Sequence, residues 1–406
     1  ANGGWIPVKN RILVNVGQLT KGTAGFLAKF YTSNRDVQIN KVYEPHFFDE
    51  AITLNDEVEL KDDNFWAQNR HDSLTVAEKH VFNMINDVKK IPIVKNYIDI
   101  IDMIISGYYK IGDIALGPYI FTYANNNVEG NRIRLGFQTN PSFSNRVILG
   151  GFAAYGTKDN TLKYGASADY ILSRKPWTQA GVSYSHDLNQ VALLSDSYNY
   201  SRNILFTAFS RFGAITNRRV FMQDMTNLYI QRDIFKNFTQ KLTLSHWTFN
   251  PLYHFQYYDQ VDGQIHGDFS TTELQVESKW SPGVHVLQSP KRNKPLTVKG
   301  EYSNPVLTFR YTHGFRGVLE SDLTYDKFSL NVMQTVRMGI LGRGNYSITA
   351  GYIPSTVPYP ILENHLGNGL FLYNKNAFNM MRFFEFVSDR YIALQYAQYF
   401  EGLLLN

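Results

Sequence analysis

Regular alternation of apolar and polar residues is the feature that most constrains this chain of 406 residues. It begins about a third of the way along, where Ile133, Leu135 and Phe137 alternate with Arg132 and Arg134. Successive side chains of a β-strand point to opposite faces, so a period of two predicts strands with one apolar and one polar face. The sequence therefore predicts an antiparallel all-β region.

The same alternation recurs along the rest of the chain in segments longer than the usual soluble strand of about five or six residues. The clearest of these segments are 162–173, 179–187, 273–280, 307–312, 327–337 and 345–352. Weaker candidates lie at 145–156, 219–232, 238–250 and 388–402. We expect about a dozen visible strands, with further C-terminal strands missing from the chain.

Composition favours a membrane strand over a soluble one. Charged residues make up 18% of the chain, below the roughly 25% of an ordinary soluble domain. Aromatic residues reach 15%, with 28 Phe and 27 Tyr. A soluble sandwich also alternates, but a sheet in lipid must pair every edge and therefore closes. The prediction is a transmembrane antiparallel β-barrel with its polar residues in the lumen.

The N-terminal part has a different pattern. Residues 1–52 are interpreted as the end of a small β-sheet module, and residues 53–110 as an acidic linker with two amphipathic helices. Thr75 and Glu78 have the spacing of a capping box, and Pro92 separates the two helices. A helix at a membrane surface is the less favoured interpretation of this pair. The barrel is assigned to residues 111–406.

The residues that carry common enzyme chemistry are absent or badly spaced. The chain has no cysteine, and its ten histidines form no zinc motif. The Gly342 and Gly344 pair precedes a strand and indicates a hairpin turn. We expect no enzyme activity, no catalytic residue, no metal and no cofactor. The net charge of +5 falls in no basic block, so we expect no nucleic-acid partner.

Charged residues on the polar face of the predicted strands are the candidate lumen residues. Both signs occur, which argues against an ion-selective pore, because such a pore favours one sign. A ladder of Glu273 and Glu277 balanced by Lys279 and Arg310 is favoured over an acid–base pair. The predicted lumen-facing residues are Lys163, Asp169, Glu273, Glu277, Arg310, Lys327 and Arg337.

Several stretches resemble a family of large outer-membrane proteins that carry a carboxypeptidase-regulatory-like domain ahead of the barrel. The resemblance runs from about residue 65 to the end. It rests on Gly117-Pro118, Asn127-Val128-Glu129-Gly130-Asn131-Arg132, Ala154-Tyr155-Gly156-Thr157-Lys158-Asp159, Pro358-Tyr359-Pro360 and Glu385-Phe386-Val387-Ser388-Asp389-Arg390-Tyr391. It implies a bacterial outer-membrane barrel, a periplasmic N-terminal part in which residues 1–52 are the end of a periplasmic β-sheet module, and a regulatory-like domain upstream.

The pattern at Val128–Gly136 is also similar to the first strand of BamA-like assembly and secretion barrels. Those barrels have sixteen strands and open between the first and the last, so the likeness implies about sixteen strands in the complete barrel. The likeness implies that Asn131–Thr139 is the first barrel strand, with Arg132, Arg134 and Gly136 at a weakly paired seam. One departure stands out, because the Arg316-Gly317 pair lies mid-chain, whereas the comparable pair in those barrels lies near the barrel's end.

Three functions remain open from the sequence. The first is a factor for the assembly or export of outer-membrane or surface proteins and lipoproteins. The second is a solute channel or transporter plugged by the two helices, and the third is a structural anchor in an outer-membrane complex. The resemblance favours the first. Expected partners are outer-membrane lipid and lipopolysaccharide, client proteins, and other outer-membrane or periplasmic proteins.

Overall fold

The computed structural model describes residues 8–16, 26–34, 37–38, 41–43, 61–69, 76–196, 199, 203–287, 293, 295–299, 304–370 and 373–401. The chain divides into two compact units, Ala1–Asn96 and Tyr97–Asn406. The acidic linker at 53–60 and the predicted cap Thr75 lie outside the described residues.

The first unit contains a β-hairpin and helices. Strands β1 (Lys9–Val16) and β2 (Phe26–Ser33) pair antiparallel, and helices α1 (Asp63–Asn69) and α2 (Val76–Lys90) follow. Helix α3 (Pro92–Ser106) begins at the proline that separates the predicted helices and leads into the second unit. Proline is tolerated in the first turn of a helix, because the N–H that it lacks would have no intrahelical partner there.

The second unit is built on one antiparallel sheet of 14 strands. Its early strands are β3 (Tyr109–Ile111), β4 (Ile114–Leu116), β5 (Tyr123–Asn126), β6 (Gly130–Thr139), β7 (Val147–Gly156), β8 (Leu162–Arg174) and β9 (Trp177–Gln190). The later ones are β10 (Val220–Phe235), β11 (Phe238–Pro251), β14 (Phe269–Trp280), β17 (Val306–Phe315), β18 (Tyr325–Arg337), β19 (Arg343–Tyr352) and β22 (Arg390–Tyr399). The connections hold the small hairpins β12 (Tyr257–Tyr258) with β13 (Ile265–His266), β15 (Val284–Leu287) with β16 (Leu296–Lys299), and β20 (Glu363–Asn364) with β21 (Val387–Ser388).

From β6 to β22 each strand of the sheet pairs with the next, so the sheet is a meander. At one end of the order stands β22, which pairs with β19 among the described residues, and at the other end stands β3. The predicted antiparallel sheet of long alternating strands is therefore present, including the four weaker segments as β7, β10, β11 and β22. Within the described residues its two ends are not paired with each other, so the expected closed ring is not formed there.

The two faces of the sheet differ as the alternation predicts. On β6, Ile133, Leu135 and Phe137 are exposed, whereas Arg132 is buried on the other face. Outward residues of neighbouring strands stand side by side, as in the register pair Leu228 and Leu244. One face is therefore an exposed apolar surface, and the opposite face carries the buried polar groups.

The ends of the sheet also differ. Tight turns at 175–176 and 236–237 join strands at one end, here called the short-turn end. The connections 191–219, 252–268 and 353–389 all lie at the other, long-loop end, whereas the long 281–305 connection with the β15–β16 hairpin lies at the short-turn end. The largest apolar cluster lies at the long-loop end, where Phe249 stacks on Phe269 at 4.8 Å between ring centroids and the loop residues Phe255 and Ile361 pack against them. The connections at the long-loop end are thus packed onto the strands.

The first strand that crosses the sheet is broken, which corrects one prediction. Strand β6 is not an edge, because β4 pairs with its C-terminal part and β5 with its N-terminal part on the side away from β7. Between them the chain leaves the strand at Gly117 and forms a 3₁₀ turn at Tyr119–Phe121. The expectation that Asn131–Thr139 is the first strand and forms the seam was therefore wrong, since the interrupted strand at 114–126 lies outside it.

Gly136 has a different role from the predicted one. Its carbonyl accepts a hydrogen bond from Gly117 N at 2.8 Å. A Cβ atom at Gly136 would stand 2.4 Å from the Gly117 oxygen. Glycine at this position therefore permits the close approach of the broken strand and does not simply weaken a ladder.

Candidate functional site on the polar face of the sheet

A buried ion-pair network lies at the start of β6, and a local turn builds it. The side-chain oxygen of Asn126 accepts hydrogen bonds from the backbone N–H groups of Val128 and Glu129, at 3.1 and 2.7 Å. This Asx turn is a common way for asparagine to fix a tight turn. It points Glu129 to the polar face, where the amide of Asn126 donates to its carboxylate at 3.0 Å.

Arg132 connects this turn to strand β9. Its guanidinium donates to Glu129 at 2.6 Å and to both oxygens of Asp187 at 2.9 and 3.2 Å. Lys163 of β8 stands 3.2 Å from the same Glu129 oxygen and also pairs with Asp159. Arg211 then binds Asp187 at 3.0 Å. This group of six residues, Glu129, Arg132, Asp159, Lys163, Asp187 and Arg211, is called the entry network below.

The three central side chains of the entry network are buried. Glu129, Arg132 and Lys163 are each at most 1% exposed. Burial by itself raises the pKa of Glu129, but the positive charges of Arg132 and Arg211 outweigh it and hold that pKa below its usual value. Buried charges are tolerated only when they are paired and hydrogen-bonded. The network therefore fixes β6, β8 and β9 to one another on the polar face.

A second polar cluster joins the long connections to the sheet. Ser195 Oγ and the Asp196 N–H donate to the two oxygens of Glu363, at 2.7 and 2.9 Å. Asp196 in turn lies 3.4 Å from Lys327 Nζ and accepts from Tyr391 at 2.7 Å. This group, the loop clasp, brings together the connections 191–219 and 353–389 and strands β18 and β22.

The electrostatics of the loop clasp suit a protonated Glu363. Burial, together with the adjacent negative charge of Asp196, raises the pKa of Glu363 to about 8. A neutral carboxyl can accept the two hydrogen bonds without placing a second negative charge beside Asp196. The clasp therefore holds both connections against the polar face at neutral pH.

Apolar and cation–π contacts complete the closure by these two connections. Phe206 of the helix α4 (Ile204–Phe209) packs in a buried cluster with Leu366 and Ala377. The Arg219 guanidinium lies 4.5 Å from the ring centroids of both Tyr359 and Phe384. Beneath the connections remains a cavity of about 380 Å³, lined by residues that include Arg211, Arg310 and Lys327 as well as Asp196 and Glu273.

The predicted lumen residues of the central strands make cross-strand contacts. Arg310 binds Glu277, its register partner, at 2.5 Å. Glu273 accepts from the indole of Trp247. Asp169 accepts from the Tyr229 hydroxyl at 2.6 Å.

The remaining predicted residues have other surroundings. Arg337 is exposed at the end of β18, where it is the register partner of Arg343. Lys279 is likewise exposed near the end of β14. Arg134 stacks with its guanidinium 4.2 Å from the ring centroid of Phe152 and 5.4 Å from that of Phe121. The structure thus places Arg132 and Lys163 in the entry network, Lys327 in the loop clasp and Arg134 beside the broken strand.

Several members of these clusters were missed from the sequence. Asp196, Ser195, Glu363 and Arg211 come from the long connections, where no periodicity marks a side chain's direction. Glu129 lies in the stretch on which the resemblance rests, but its spacing alone does not show that it faces Arg132.

A potential cation site occurs in the 252–268 connection. One ligand atom each from Asp259, Asp262 and His266 lie within 4.8 Å of one another. Arg316 already binds both oxygens of Asp259, at 3.2 and 2.7 Å, and His266 contacts Asp262 at 2.7 Å. Each of the three candidate ligands therefore already has a side-chain partner within the protein. These pairs also show where Arg316-Gly317 lies, in the connection between β17 and β18 against the β12–β13 hairpin.

The fold and its clusters define a class: an antiparallel meander with an exposed apolar face and a polar face that its own loops cover at the long-loop end. Residues 105–406 match the family described as "Family of unknown function (DUF5686) C-terminal domain". The chain belongs to this family.

Other comparisons are more distant. No curated protein sequence matches the chain. Among solved structures, the crystal structure of BamA from Haemophilus ducreyi lacking POTRA domains 1–3 is similar over 89% of this chain, with 10% identity and a TM-score of 0.35. The chain covers 64% of that structure, less than two thirds of its length. In the described part of the chain, no helix is both long enough and apolar enough to cross a membrane.

Proposed function

We propose that the 14-stranded sheet belongs to a β-barrel in the bacterial outer membrane, and that the protein assists the assembly or export of outer-membrane or surface proteins. The exposed apolar face supports the membrane location. It extends over consecutive strands through residues such as Leu135, Leu228 and Leu330, and exposed apolar surfaces of such extent mark membrane or protein contacts. Strands with one apolar and one polar face are typical of transmembrane barrels.

The two ends of the sheet support an orientation. Outer-membrane barrels have short periplasmic turns and longer extracellular loops. The short-turn end would then face the periplasm, and the connections 191–219 and 353–389 the exterior. The chain enters the sheet at the short-turn end, because Ile114 pairs with Thr139 there. This agrees with a periplasmic N-terminal part.

The loops that cover the polar face at the long-loop end favour an assembly factor over an open channel. A conducting pore needs a continuous passage whose lining attracts the solute. Here the loop clasp and the buried cluster around Phe206 hold the long connections over the polar face. The charged residues of both polar clusters are engaged with one another. We infer a structural role for them, without catalysis or a cofactor.

The broken strand at 114–126 is the observation that carries the proposed function. Strand edges with unpaired N–H and C=O groups recruit other strands. The short pieces β4 and β5 leave Tyr119–Phe121 outside the ladder, so this edge is easier to separate than one long strand. In the barrel, this edge and that of β22, which stand at the two ends of the sheet, would flank one seam. A client strand would enter there, beside lipid and lipopolysaccharide.

Site-specific photo-cross-linking tests this function. A photoreactive phenylalanine analogue is placed at Tyr119 in the full-length protein, which is expressed in cells whose new proteins are pulse-labelled. The matched control is Tyr170 of the continuously paired strand β8. The two side chains are 42% and 44% exposed. We expect adducts with newly made outer-membrane proteins at position 119 that disappear during the chase, and none at position 170.

Equal adducts at both positions, or none at position 119 after efficient activation, would contradict an assembly function. The plugged transporter is the second candidate, and the cavity of about 380 Å³ under the long connections favours it. Solute uptake that depends on the protein, together with an absence of transient adducts, would favour that alternative. A structural anchor would give stable adducts with a constant neighbour that survive the chase.

A further inference from the structure

Helix α3 carries an apolar stripe that its own unit leaves uncovered. Tyr97, Ile100, Ile101, Ile104 and Ile105 follow the spacing of one helix face. Their exposed fractions range from 48% to 79%. Such a stripe normally packs on a core, because each exposed isoleucine leaves apolar surface in water. Its exposure therefore calls for a partner surface.

The helix is joined firmly to the beginning of the sheet. Gly107, with a φ of 79°, ends α3, and its N–H donates to the Met103 carbonyl at 2.8 Å. Ser106 and Tyr108 exchange hydrogen bonds at 3.1 and 3.2 Å across this turn. Lys110 of β3 then pairs with Asp102 of the helix at 3.0 Å. The side of α3 that bears Asp102 is thus turned to the β3 strand.

The exposed stripe continues into the apolar face of the sheet. Directly after the helix, Tyr109, Ile111, Ile114 and Leu116 are exposed on one face of the β3–β4 pair. Leu116 pairs in register with Phe137, which belongs to the exposed apolar face of β6. All of these residues lie at the short-turn end. The apolar surface therefore runs from the sheet through β4 to β3, and β3 begins four residues after Ile105, the last residue of the helix stripe.

We propose that α3 lies flat in the periplasmic leaflet of the bilayer, with its isoleucine stripe among the lipid acyl chains. This inference rests on the membrane location of the sheet proposed above, and it adds a lipid-binding surface outside the strands. A helix of 15 residues is shorter than the roughly 20 needed to span, and amphipathic helices of this kind lie in the plane of the interface. Lipid fits better than a protein partner because the stripe ends four residues before β3, whose exposed apolar residues belong to the surface that would face lipid.

Depth-dependent fluorescence quenching tests the proposal. Single cysteines replace Ile104 on the stripe, Asp99 on the opposite side of α3, and Leu330 on the sheet, each in the full chain and each carrying an environment-sensitive dye. The protein is reconstituted into phosphatidylethanolamine–phosphatidylglycerol vesicles with nitroxide lipids. We expect quenching at Ile104 at least about twofold stronger than at Asp99, and strongest with the nitroxide near the headgroup.

The label at Leu330 distinguishes failure of the helix proposal from failure of the proposed membrane location. Quenching at Leu330 by a deep nitroxide, with none at Ile104, would overturn the helix proposal and leave the membrane location intact. Absence of quenching at Leu330 as well would overturn both. Protection of position 104 from lipid, together with a disulfide cross-link between two copies of the Ile104→Cys variant before labelling, would assign the stripe to a dimer and so also contradict the proposal.

Discussion

Replacing Arg132 by Met is expected to destabilise the folded protein by about 3–5 kcal/mol, because it removes one partner from a buried ion network. The guanidinium is 1% exposed and binds both Glu129 and Asp187. Without it, Lys163 and Arg211 remain, but the two carboxylates lose their shared bridge. The variant should lose its compact, heat-resistant migration in detergent gels at a lower temperature, and should unfold at a lower guanidinium concentration.

An exposed ion pair with a similar distance between its charged atoms is the control. Lys90 binds Asp87 at 3.0 Å, but the two side chains are 77% and 73% exposed. Since water screens such a pair, Lys90→Met should change the unfolding free energy by less than about 1 kcal/mol. If Arg132→Met were as mild as Lys90→Met, the entry network would not contribute to holding β6, β8 and β9 together.

A positive charge in the middle of the apolar face should have the second largest effect. Leu330 lies near the centre of β18 and is exposed on that face. For a lipid-facing midplane position, Leu330→Arg should cost about 2–4 kcal/mol when unfolding is measured in bilayers. The same change at Leu162, at the end of β8, should cost about 0–1 kcal/mol, because an arginine near the interface reaches water.

The test depends on the ratio between the losses in unfolding free energy caused by Leu330→Arg and by Leu162→Arg. Detergent-free lipid vesicles are needed for both variants, since a flexible micelle would hide the depth dependence. Equal, small costs at Leu330 and Leu162 would place both side chains in water. That result would contradict the membrane location.

Much of the sheet follows from the sequence, because a period of two is a local signal. Strand β6 illustrates this: the residues predicted to face outward, such as Leu135, are exposed, and Arg132 is buried on the other side. The turn at Gly342 was recognised for the same reason. This position has a φ of 78°, and a Cβ atom there would lie 2.1 Å from the Tyr399 oxygen, so glycine is required.

The broken first strand was not predicted, for a physical reason. Its pieces β4 and β5 are too short to show alternation, and the 3₁₀ turn at Tyr119–Phe121 interrupts whatever pattern they have. Only the pairing with β6 identifies them as one interrupted strand. The most regular neighbouring segment, Asn131–Thr139, was therefore taken as the first strand.

The loop clasp lay beyond prediction because it depends on contacts between distant parts of the chain. Ser195 and Asp196 meet Glu363 across more than 160 positions. Neither connection has a repeat or motif that fixes the direction of these side chains. Lys327 was predicted to face the polar side from its strand alone, but its partner Asp196 was not.

The central claim is that the apolar face of the sheet contacts lipid, and the accessibility of a spin label tests it most directly. Nitroxides are attached to cysteines replacing Leu228 on β10 and Val261 in the 252–268 connection, which are 55% and 70% exposed. In lipid vesicles, oxygen should relax the label at Leu228 more strongly than a water-soluble nickel chelate does, and the order should reverse at Val261. A label at Leu228 that responds to the nickel chelate as strongly as the one at Val261 would contradict the account.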